Sequence, residues 1–154
     1  MSHEVRTIGP EEAPAAEELL RAAFAPYIRK LGRQPRPNAY DWLAAACGEA
    51  RVYGAYRGNE PAGVAIVAKE ATVWTVDQVA VAPSQQGKGI GSLLLQHIEA
   101  DARRAGVATL SLDTAAIMTD LLRLYERHGF RETHRGLPQH GLDQHLRVFM
   151  TKSL

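Results

Sequence analysis

The sequence predicts an α/β layered fold in which a mixed, mainly antiparallel central sheet is flanked by helices. Three strand-like segments follow one another between residues 50 and 81, which is typical of antiparallel strands joined by short turns. From residue 90 onwards helical and strand-like segments alternate, which is typical of helices packed on a sheet. Since 154 residues is the length of one ordinary domain, we expect a single domain over residues 1–154.

The first fifty residues predict one strand and two helices. "EVRTI" (4–8) is a short strand, and "PEEAPAAEELLRAAF" (10–24) is a helix with proline and glutamates in its first turn. Residues 25–37 are too broken by proline and glycine to form one regular element. A second helix is predicted over "NAYDWLAAACGEA" (38–50), with Asn38 as its N-cap.

The remaining elements follow from hydrophobic periodicity. The predicted strands are "ARVYGAY", "AGVAIVA", "ATVWTVDQVAV", "VATLSLDT", "FRETHR" and "HLRVFMTKS". The predicted helices are "GSLLLQHIEADARRAG", whose apolar residues recur at i, i+4, and "TDLLRLYERHG". The resulting order is β-α-α-β-β-β-α-β-α-β-β.

Charge and cysteine content exclude several classes of protein. Lysine and arginine number 18 against 17 carboxylates, a balance that disfavours nucleic acid as a partner. A single cysteine, Cys47, cannot form an internal disulfide, so we expect a reducing, cytoplasmic location. The N-terminus lacks a signal peptide pattern, and no apolar run approaches the roughly 20 residues that span a bilayer. We therefore expect no membrane partner.

The turn "QQGKGIG" (85–91) joins a predicted strand to a predicted helix and nearly matches two phosphate motifs. In a Walker loop the lysine is followed by Ser or Thr, but Lys88 is followed by Gly89. A dinucleotide fingerprint needs a third glycine where Ser92 stands. Both readings fail. Two alternatives stay open at this point: a nest of backbone N–H groups for an anion at a helix N-terminus, and a plain strand-to-helix connection.

Downstream motifs favour the first alternative. "LYERHGF" (124–130) closes a short helix about 30 residues after the turn. Together with "VDQVAVAP" (76–83) and the Gln-x-x-Gly-x-Gly turn, it makes the sequence resemble the GNAT superfamily of acetyl-CoA-dependent N-acetyltransferases. The resemblance is close over residues 76–130 and looser over the element order of the whole chain.

The resemblance implies acetyl-CoA as cosubstrate. It implies that main-chain amides of the turn bind the pyrophosphate and that the preceding strand pairs with the pantetheine arm. Carried onto this sequence, the implied cofactor-binding residues are Val79, Ala80, Val81, Gln86, Gly87, Lys88, Gly89, Ile90, Gly91 and Ser92.

The resemblance also implies two catalytic residues. Tyr125 matches the tyrosine that serves as the acid, and its alternative role is a buried structural residue. Asp77 is the candidate base, since two-residue alternation would place it on the strand face of Val79 and Val81. Its alternative role is a structural aspartate at a bulge or beside an arginine. One position departs from the family: Met118 stands where an asparagine often contacts the coenzyme arm.

The acceptor pocket is expected near residues 24–42 and 134–146, by analogy with the family. The candidate pocket residues are Tyr27, Arg29, Arg33, Tyr40 and His134. The first region contains Arg29, Lys30, Arg33 and Arg36, which suggests an acceptor that carries a carboxylate or phosphate besides its amine. A solvated basic loop is the alternative. Histidines without partners at ligand spacing do not predict a metal site.

The function implied by the resemblance is transfer of an acetyl group to a primary amine of a small molecule or protein. The transfer would be direct, in a ternary complex. Two other readings stay open: a transferase that uses another acyl-CoA, and a non-catalytic acyl-CoA-binding sensor or interaction module. Dimers are common in the resembled family, so a homodimer is a further open expectation.

Overall fold

The structure, a computed structural model, describes residues 2–154 and has the predicted order of strands and helices. The seven strands are β1 (Glu4–Thr7), β2 (Val52–Arg57), β3 (Glu60–Lys69), β4 (Val73–Val81), β5 (Thr109–Ala115), β6 (Arg131–Gly136) and β7 (Arg147–Ser153). The four α-helices are α1 (Ala13–Lys30), α2 (Leu43–Gly48), α3 (Ile90–Arg104) and α4 (Thr119–Arg127). Short 3₁₀ turns at Pro10–Glu12 and Pro83–Gln85 precede α1 and α3.

The strands form one sheet in the order β1-β2-β3-β4-β5-β7-β6. Every neighbouring pair is antiparallel except β4 and β5, which are parallel. The mixed, mainly antiparallel sheet of the prediction is thereby confirmed. The parallel pair is also the shortest, since only Val73–Thr75 of β4 pair with Thr109–Ser111 of β5. Beyond those residues the two strands diverge and leave a gap in the middle of the sheet.

Hydrophobic residues pack on both faces of the sheet. On one face, Leu94 and Ile98 of α3 join strand residues such as Ala65 in one buried cluster. On the other face, Leu20 of α1 and Leu43 of α2 join residues such as Ile66 in a second cluster. Neighbouring β3 residues thus belong to opposite clusters, as strand alternation requires when both faces are covered. The helices therefore cover the sheet on both faces.

Helix α1 is longer than predicted, because it continues through Pro26 to Lys30. A proline inside a helix deprives the carbonyl four residues earlier of its hydrogen bond. Here that carbonyl belongs to Ala22. Because both Ala22 and Pro26 are exposed, water can donate a hydrogen bond to this carbonyl. Residues 25–30 are therefore helical, and the predicted end of this helix at Phe24 was wrong.

Helix α2 is shorter than predicted and begins at Leu43 rather than after Asn38. Its N-cap is Trp42, without a side-chain capping bond. Residues 38–42 form turns instead, in which the Asn38 carbonyl accepts a hydrogen bond from the Asp41 amide at 3.3 Å. The predicted Asn38 cap was therefore wrong.

None of the helices within residues 2–154 combines the length and the apolar character needed to cross a membrane. Cys47 is a free, buried cysteine at the end of α2, and burial raises the pKa of its thiol.

Candidate active site

The glycine turn lies between β4 and α3 and has two residues in the left-handed region. Gly87 and Gly89 both have φ of 79°, and Gly89 is the N-cap of α3. No atom lies within 4 Å of a Cβ built at either position. The glycines are thus required by backbone conformation rather than by space, because other residues pay a steric cost in this region.

The backbone N–H groups of this turn are unused within the described chain. None of the amides from Gly87 to Ser92 donates a hydrogen bond to another residue of 2–154; the first amide to do so is Leu93, which donates to the Gly89 carbonyl at 3.1 Å. Free N–H groups at a helix N-terminus, aided by the helix dipole, form an anion-binding concavity. This turn can therefore hold a phosphate group without a dedicated cationic side chain.

Neighbouring side chains fix the shape of the turn. Gln86 Nε2 donates to the Val81 carbonyl at 3.3 Å, which ties the turn back to β4. A Cβ at Gly91 would lie 3.4 Å from Leu124 Cδ2, so this glycine allows close packing of α3 on α4. Ser92 Oγ lies 2.9 Å from Nε2 of His128, whose pKa is lowered by burial and by Lys152 and Arg127. Lys88 is exposed, 3.5 Å from Gln85 Oε1.

The half of β4 that leads to the turn has an open edge. Antiparallel pairing with β3 continues to Val81, which is opposite Gly63, whereas pairing with β5 stops at Thr75. On the β5 side, residues 76–81 therefore have no partner strand in the described structure. An extended ligand can hydrogen-bond to such an edge as an added strand. Val79, Ala80 and Val81 all belong to this segment.

Asp77 occupies a β-bulge at the start of the open segment. Val76 pairs with Val67 and Gln78 with Ile66, so Asp77 is the extra residue. Val76 and Val79, three residues apart, consequently join the same core cluster. Regular alternation is interrupted at Asp77, so alternation does not determine whether Asp77 shares the face of Val79 and Val81, and that placement stays a prediction. The bulge instead lets consecutive residues, Asp77 to Val79, line one cleft.

The Asp77 carboxylate is partly buried and weakly paired. Its Oδ2 lies 3.9 Å from Nη2 of Arg51, and 42% of the side chain is exposed. Burial raises the pKa of Asp77, the neighbouring Asp113 raises it further, and Arg51 opposes them. A carboxylate with a raised pKa is a better proton acceptor than one fully solvated.

Tyr125 lies on the α4 side of the same cleft. It is 6% exposed, and its ring packs edge-to-face on Phe130 with centroids 5.9 Å apart. Its hydroxyl makes no hydrogen bond to any residue between 2 and 154. Burial, followed by Tyr27 and Asp113, raises the pKa of Tyr125, which keeps the hydroxyl protonated and able to donate.

The cleft has a volume of about 440 Å³ and lies where β4 and β5 diverge. Of the predicted site residues, it brings together Tyr27, Arg33, Tyr40, Asp77, Val79 and Tyr125. Two predicted acceptor residues lie elsewhere. Arg29 is exposed near the end of α1, and His134 on the edge strand β6 stacks on Phe149 at 4.3 Å between centroids. Neither is among the cleft-lining residues.

A family model for the acetyltransferase (GNAT) family matches residues 15–130. The chain belongs to the acetyltransferase (GNAT) family. The match covers most of the chain, from α1 to the end of the "LYERHGF" motif, and confirms the resemblance found in the sequence.

Individual relatives match this GNAT-family chain over shorter segments. The [ribosomal protein bS18]-alanine N-acetyltransferase of Escherichia coli K12 is 39% identical over 67 residues, 44% of this chain and 43% of the relative. The IAA acetyltransferase of Azospirillum brasilense is 37% identical over 79 residues, 51% of this chain and 50% of the relative. The matched segments thus span about half of these curated relatives or less.

The fold as a whole is shared with solved GNAT structures. The PaiA N-acetyltransferase from Thermoplasma acidophilum, solved in complex with coenzyme A, superposes with a TM-score of 0.82. The comparison covers 100% of both chains at 18% sequence identity. At that identity the likeness is one of fold.

Sequence reasoning missed several cleft residues of this GNAT domain. Asp113 and Thr114 at the end of β5 line the cleft, as does Arg147 at the start of β7. Thr114 Oγ1 lies 3.5 Å from the Tyr27 hydroxyl, and Asp113 Oδ2 lies 3.9 Å from Arg147 Nε. Burial raises the pKa of Asp113, and the nearby charge of Arg147 acts to lower it. The sequence contains one indication of Asp113 as a site residue: a charged side chain follows "LSL" near the end of a predicted strand.

A second groove, of about 460 Å³, lies beside the glycine turn and is lined by Ser2, His3, Arg57, Gln85, Lys88 and Leu93. Within residues 2–154, no three or more His, Cys, Asp or Glu side chains are grouped as metal ligands.

Proposed function

We propose that this protein is an N-acetyltransferase that moves an acetyl group from acetyl-CoA to a primary amine of a small molecule or protein. The observation that carries the proposal is the continuity of three features. The unused amides of residues 87–92 follow the open β4 edge after one 3₁₀ turn, and that edge leads to the cleft containing Asp77 and Tyr125.

The coenzyme would bind along this path. Its pyrophosphate would accept hydrogen bonds from the turn amides, with Gly87 and Gly89 supplying the required backbone conformation. The pantetheine amides would pair with the edge of Val79, Ala80 and Val81. Such pairing needs no asparagine at position 118, where Met118 is the N-cap of α4. The thioester would then lie in the cleft.

The chemistry requires a neutral amine and a protonated leaving group. The amine nitrogen attacks the thioester carbonyl carbon, a C–N bond forms and the C–S bond breaks. The proton released by the amine passes to Asp77, directly or through water, and the Tyr125 hydroxyl protonates the departing thiolate. Solvent exchange returns both residues to their starting states.

Direct transfer is supported by the placement of the one cysteine. Cys47 is buried in the cluster formed by α1, α2 and the sheet, and it does not line the cleft. Burial raises the pKa of its thiol, which makes it a poor nucleophile. We therefore expect initial-rate lines at varied amine concentrations to intersect, as in a ternary complex. Parallel lines would indicate a covalent acyl-enzyme.

A thiol-release assay tests the function. Acetyl-CoA, propionyl-CoA and succinyl-CoA are each incubated with the enzyme and pooled amines, and free coenzyme A is measured. Acetyl-CoA should give the highest kcat/KM. Preference for another donor would identify a different acyltransferase, and tight coenzyme binding without thiol release would identify an acyl-CoA-binding sensor.

A further inference from the structure

One wall of the cleft carries a chain of alternating charges that involves residues outside the predicted site. It runs from Asp113 through Arg147 and Asp143 to Arg33. Arg147 Nε lies 3.9 Å from Asp113, and its Nη1 and Nη2 donate to the two Asp143 oxygens at 3.0 and 2.8 Å. Asp143 and Arg147 are 4% and 5% exposed. This pair is buried and nearly ideal in geometry, so its two charges neutralise each other.

Arg33, at the end of this chain, lacks an equivalent partner. Its Nη1 lies 3.9 Å from Asp143 Oδ2, beyond hydrogen-bonding distance, whereas Arg147 donates to both Asp143 oxygens. The Arg33 guanidinium makes no hydrogen bond to another residue within 2–154, and its side chain is 19% exposed. The Arg33 nitrogens are not among the fully buried polar atoms without a partner, so water in the cleft reaches them. An anion in the cleft can replace that water with charge-assisted, bidentate hydrogen bonds.

Arg21 also lines this cleft, but unlike Arg33 it donates hydrogen bonds to protein groups. Its Nε donates to Glu17 at 2.8 Å, and Nη1 and Nη2 donate to the carbonyls of Arg36 and Pro37 at 3.2 and 2.9 Å. Its donors hold the segment after α1 in place. Arg21 is therefore structural, whereas the Arg33 donors face the cleft unused.

The carboxylates lie at the other end of the chain of charges. Asp113 is separated from Arg33 by Arg147 and Asp143, and it is close enough to Asp77 to affect its ionisation. Two carboxylates near the open β4 edge favour a cation, as an incoming ammonium group is. The cleft thus presents negative charge near Asp77 and, at Arg33, a positive charge that no protein group hydrogen-bonds.

We infer that the acceptor is a small amine that also carries an anionic group, a carboxylate or phosphonate, and that Arg33 binds this group. The inference rests on the proposed function and narrows its acceptor class. With a volume of about 440 Å³, the cleft is large enough for a molecule of this kind. Asp113 joins Asp77 in attracting the amine.

A matched set of acceptors tests the class. γ-Aminobutyrate, n-butylamine and putrescine have the same chain length and differ at the far end, which is anionic, neutral and cationic respectively. Aminopropylphosphonate distinguishes a phosphonate from a carboxylate. We expect kcat/KM for one of the two anionic acceptors to exceed that for n-butylamine by about 10-fold to 100-fold, as a charge-assisted hydrogen bond provides. Equal or faster use of putrescine or n-butylamine would overturn the inference.

The Arg33→Gln variant tests the residue. It should raise KM for the anionic acceptor by about 10-fold to 100-fold with kcat nearly unchanged, and leave n-butylamine kinetics as they are. Arg33→Lys should recover part of the loss. Arg104→Gln, on the exposed end of α3 outside the cleft, is the matched control. A uniform loss on all acceptors would show that Arg33 has only a structural role.

Calorimetric binding of the same four amines to the protein saturated with coenzyme A separates the two proposals. If no amine supports thiol release, the proposed function fails. The inference is still supported if the protein binds the anionic amines selectively and Arg33→Gln abolishes that binding. Unselective binding overturns it.

Discussion

At the scale of single residues, Tyr125 and Tyr53 offer a matched pair of buried tyrosines. The Tyr125 hydroxyl reaches the cleft without a partner, whereas that of Tyr53 donates to Asp101 at 3.0 Å outside it. We expect Tyr125→Phe to lower kcat by about 100-fold or more because the thiolate loses its proton donor. Tyr53→Phe should cost about 1 kcal/mol of stability and leave kcat unchanged. Thiol release and urea unfolding measure the two effects. Unchanged turnover in Tyr125→Phe would exclude the acid role.

Asp77 gives a prediction that couples activity to stability. Because its folded pKa is raised, the native state holds this proton more tightly than the unfolded chain does, and ionisation at higher pH opposes folding. Asp77→Asn should therefore raise the thermal midpoint at neutral pH while lowering kcat/KM. In the wild type, kcat/KM should fall as acid protonates Asp77, and the variant should lack that limb of the profile. If the acidic limb of the kcat/KM profile were unchanged in Asp77→Asn, the titration would belong to another group. Asp113→Asn would then test the neighbouring carboxylate.

At the scale of elements, the turn before α3 and the turn after it each contain a glycine with positive φ. Gly89 and Gly106 have φ of 79° and 76°, and a Cβ at either meets no atom within 4 Å. Alanine at either position should therefore cost a similar amount, about 1 kcal/mol of stability. Only Gly89→Ala should weaken coenzyme A binding, since it disturbs the free amides. Calorimetry compares the two variants, and equal affinities would argue against a phosphate site in this turn.

The segment between β6 and β7 depends on the buried Asp143–Arg147 pair. Arg147 and the His145 amide lower the pKa of Asp143 to about 2. The stabilisation is thus complete above the unfolded pKa near 3.9 and is lost as the pH falls towards 2. Asp143→Asn removes the hydrogen-bonded countercharge of Arg147, which then has only Asp113 at 3.9 Å, and should cost about 3–5 kcal/mol at pH 7.

An exposed ion pair is the control for that substitution. Asp120 is 97% exposed and lies 3.7 Å from Arg123, so Asp120→Asn should change stability by less than about 0.5 kcal/mol. Urea unfolding at several pH values measures both variants. If Asp143→Asn retained the wild-type acid dependence, the assigned role of Asp143 would be wrong.

At the scale of the whole molecule, a ligand that binds only the folded state should stabilise it. Coenzyme A at 100 times its Kd should add about 2.7 kcal/mol, or roughly 5–10 °C in Tm for a domain of this size. Differential scanning fluorimetry at rising coenzyme concentration measures the shift. The absence of any shift at millimolar coenzyme would contradict the proposed binding path.

The order of strands and helices could be predicted because it follows from local periodicity and turn chemistry. The failures were also local. Pro26 was expected to end a helix, but the exposed Ala22 carbonyl tolerates it. Asn38 has the chemistry of a cap, but the helix begins five residues later at Leu43. The bulge at Asp77 has no glycine or proline to reveal it.

The catalytic candidates could be named from motifs, whereas the wall of the cleft could not. Asp113 and Arg147 are 34 positions apart in the numbering and meet because Ala115 of β5 pairs with Arg147 of β7. Arg33 joins them only through Asp143, from a loop without periodicity. Such contacts depend on the packing of distant segments, which a single sequence does not record.

The short pairing of β4 with β5 has a consequence for the protein without a ligand. An uncovered strand edge is a template for another chain, and here it lies inside the sheet rather than at its rim. The protein without ligand should accordingly be more prone to self-association than the protein saturated with coenzyme A. Coenzyme supply would then set the yield of soluble protein during expression, in addition to the rate of catalysis.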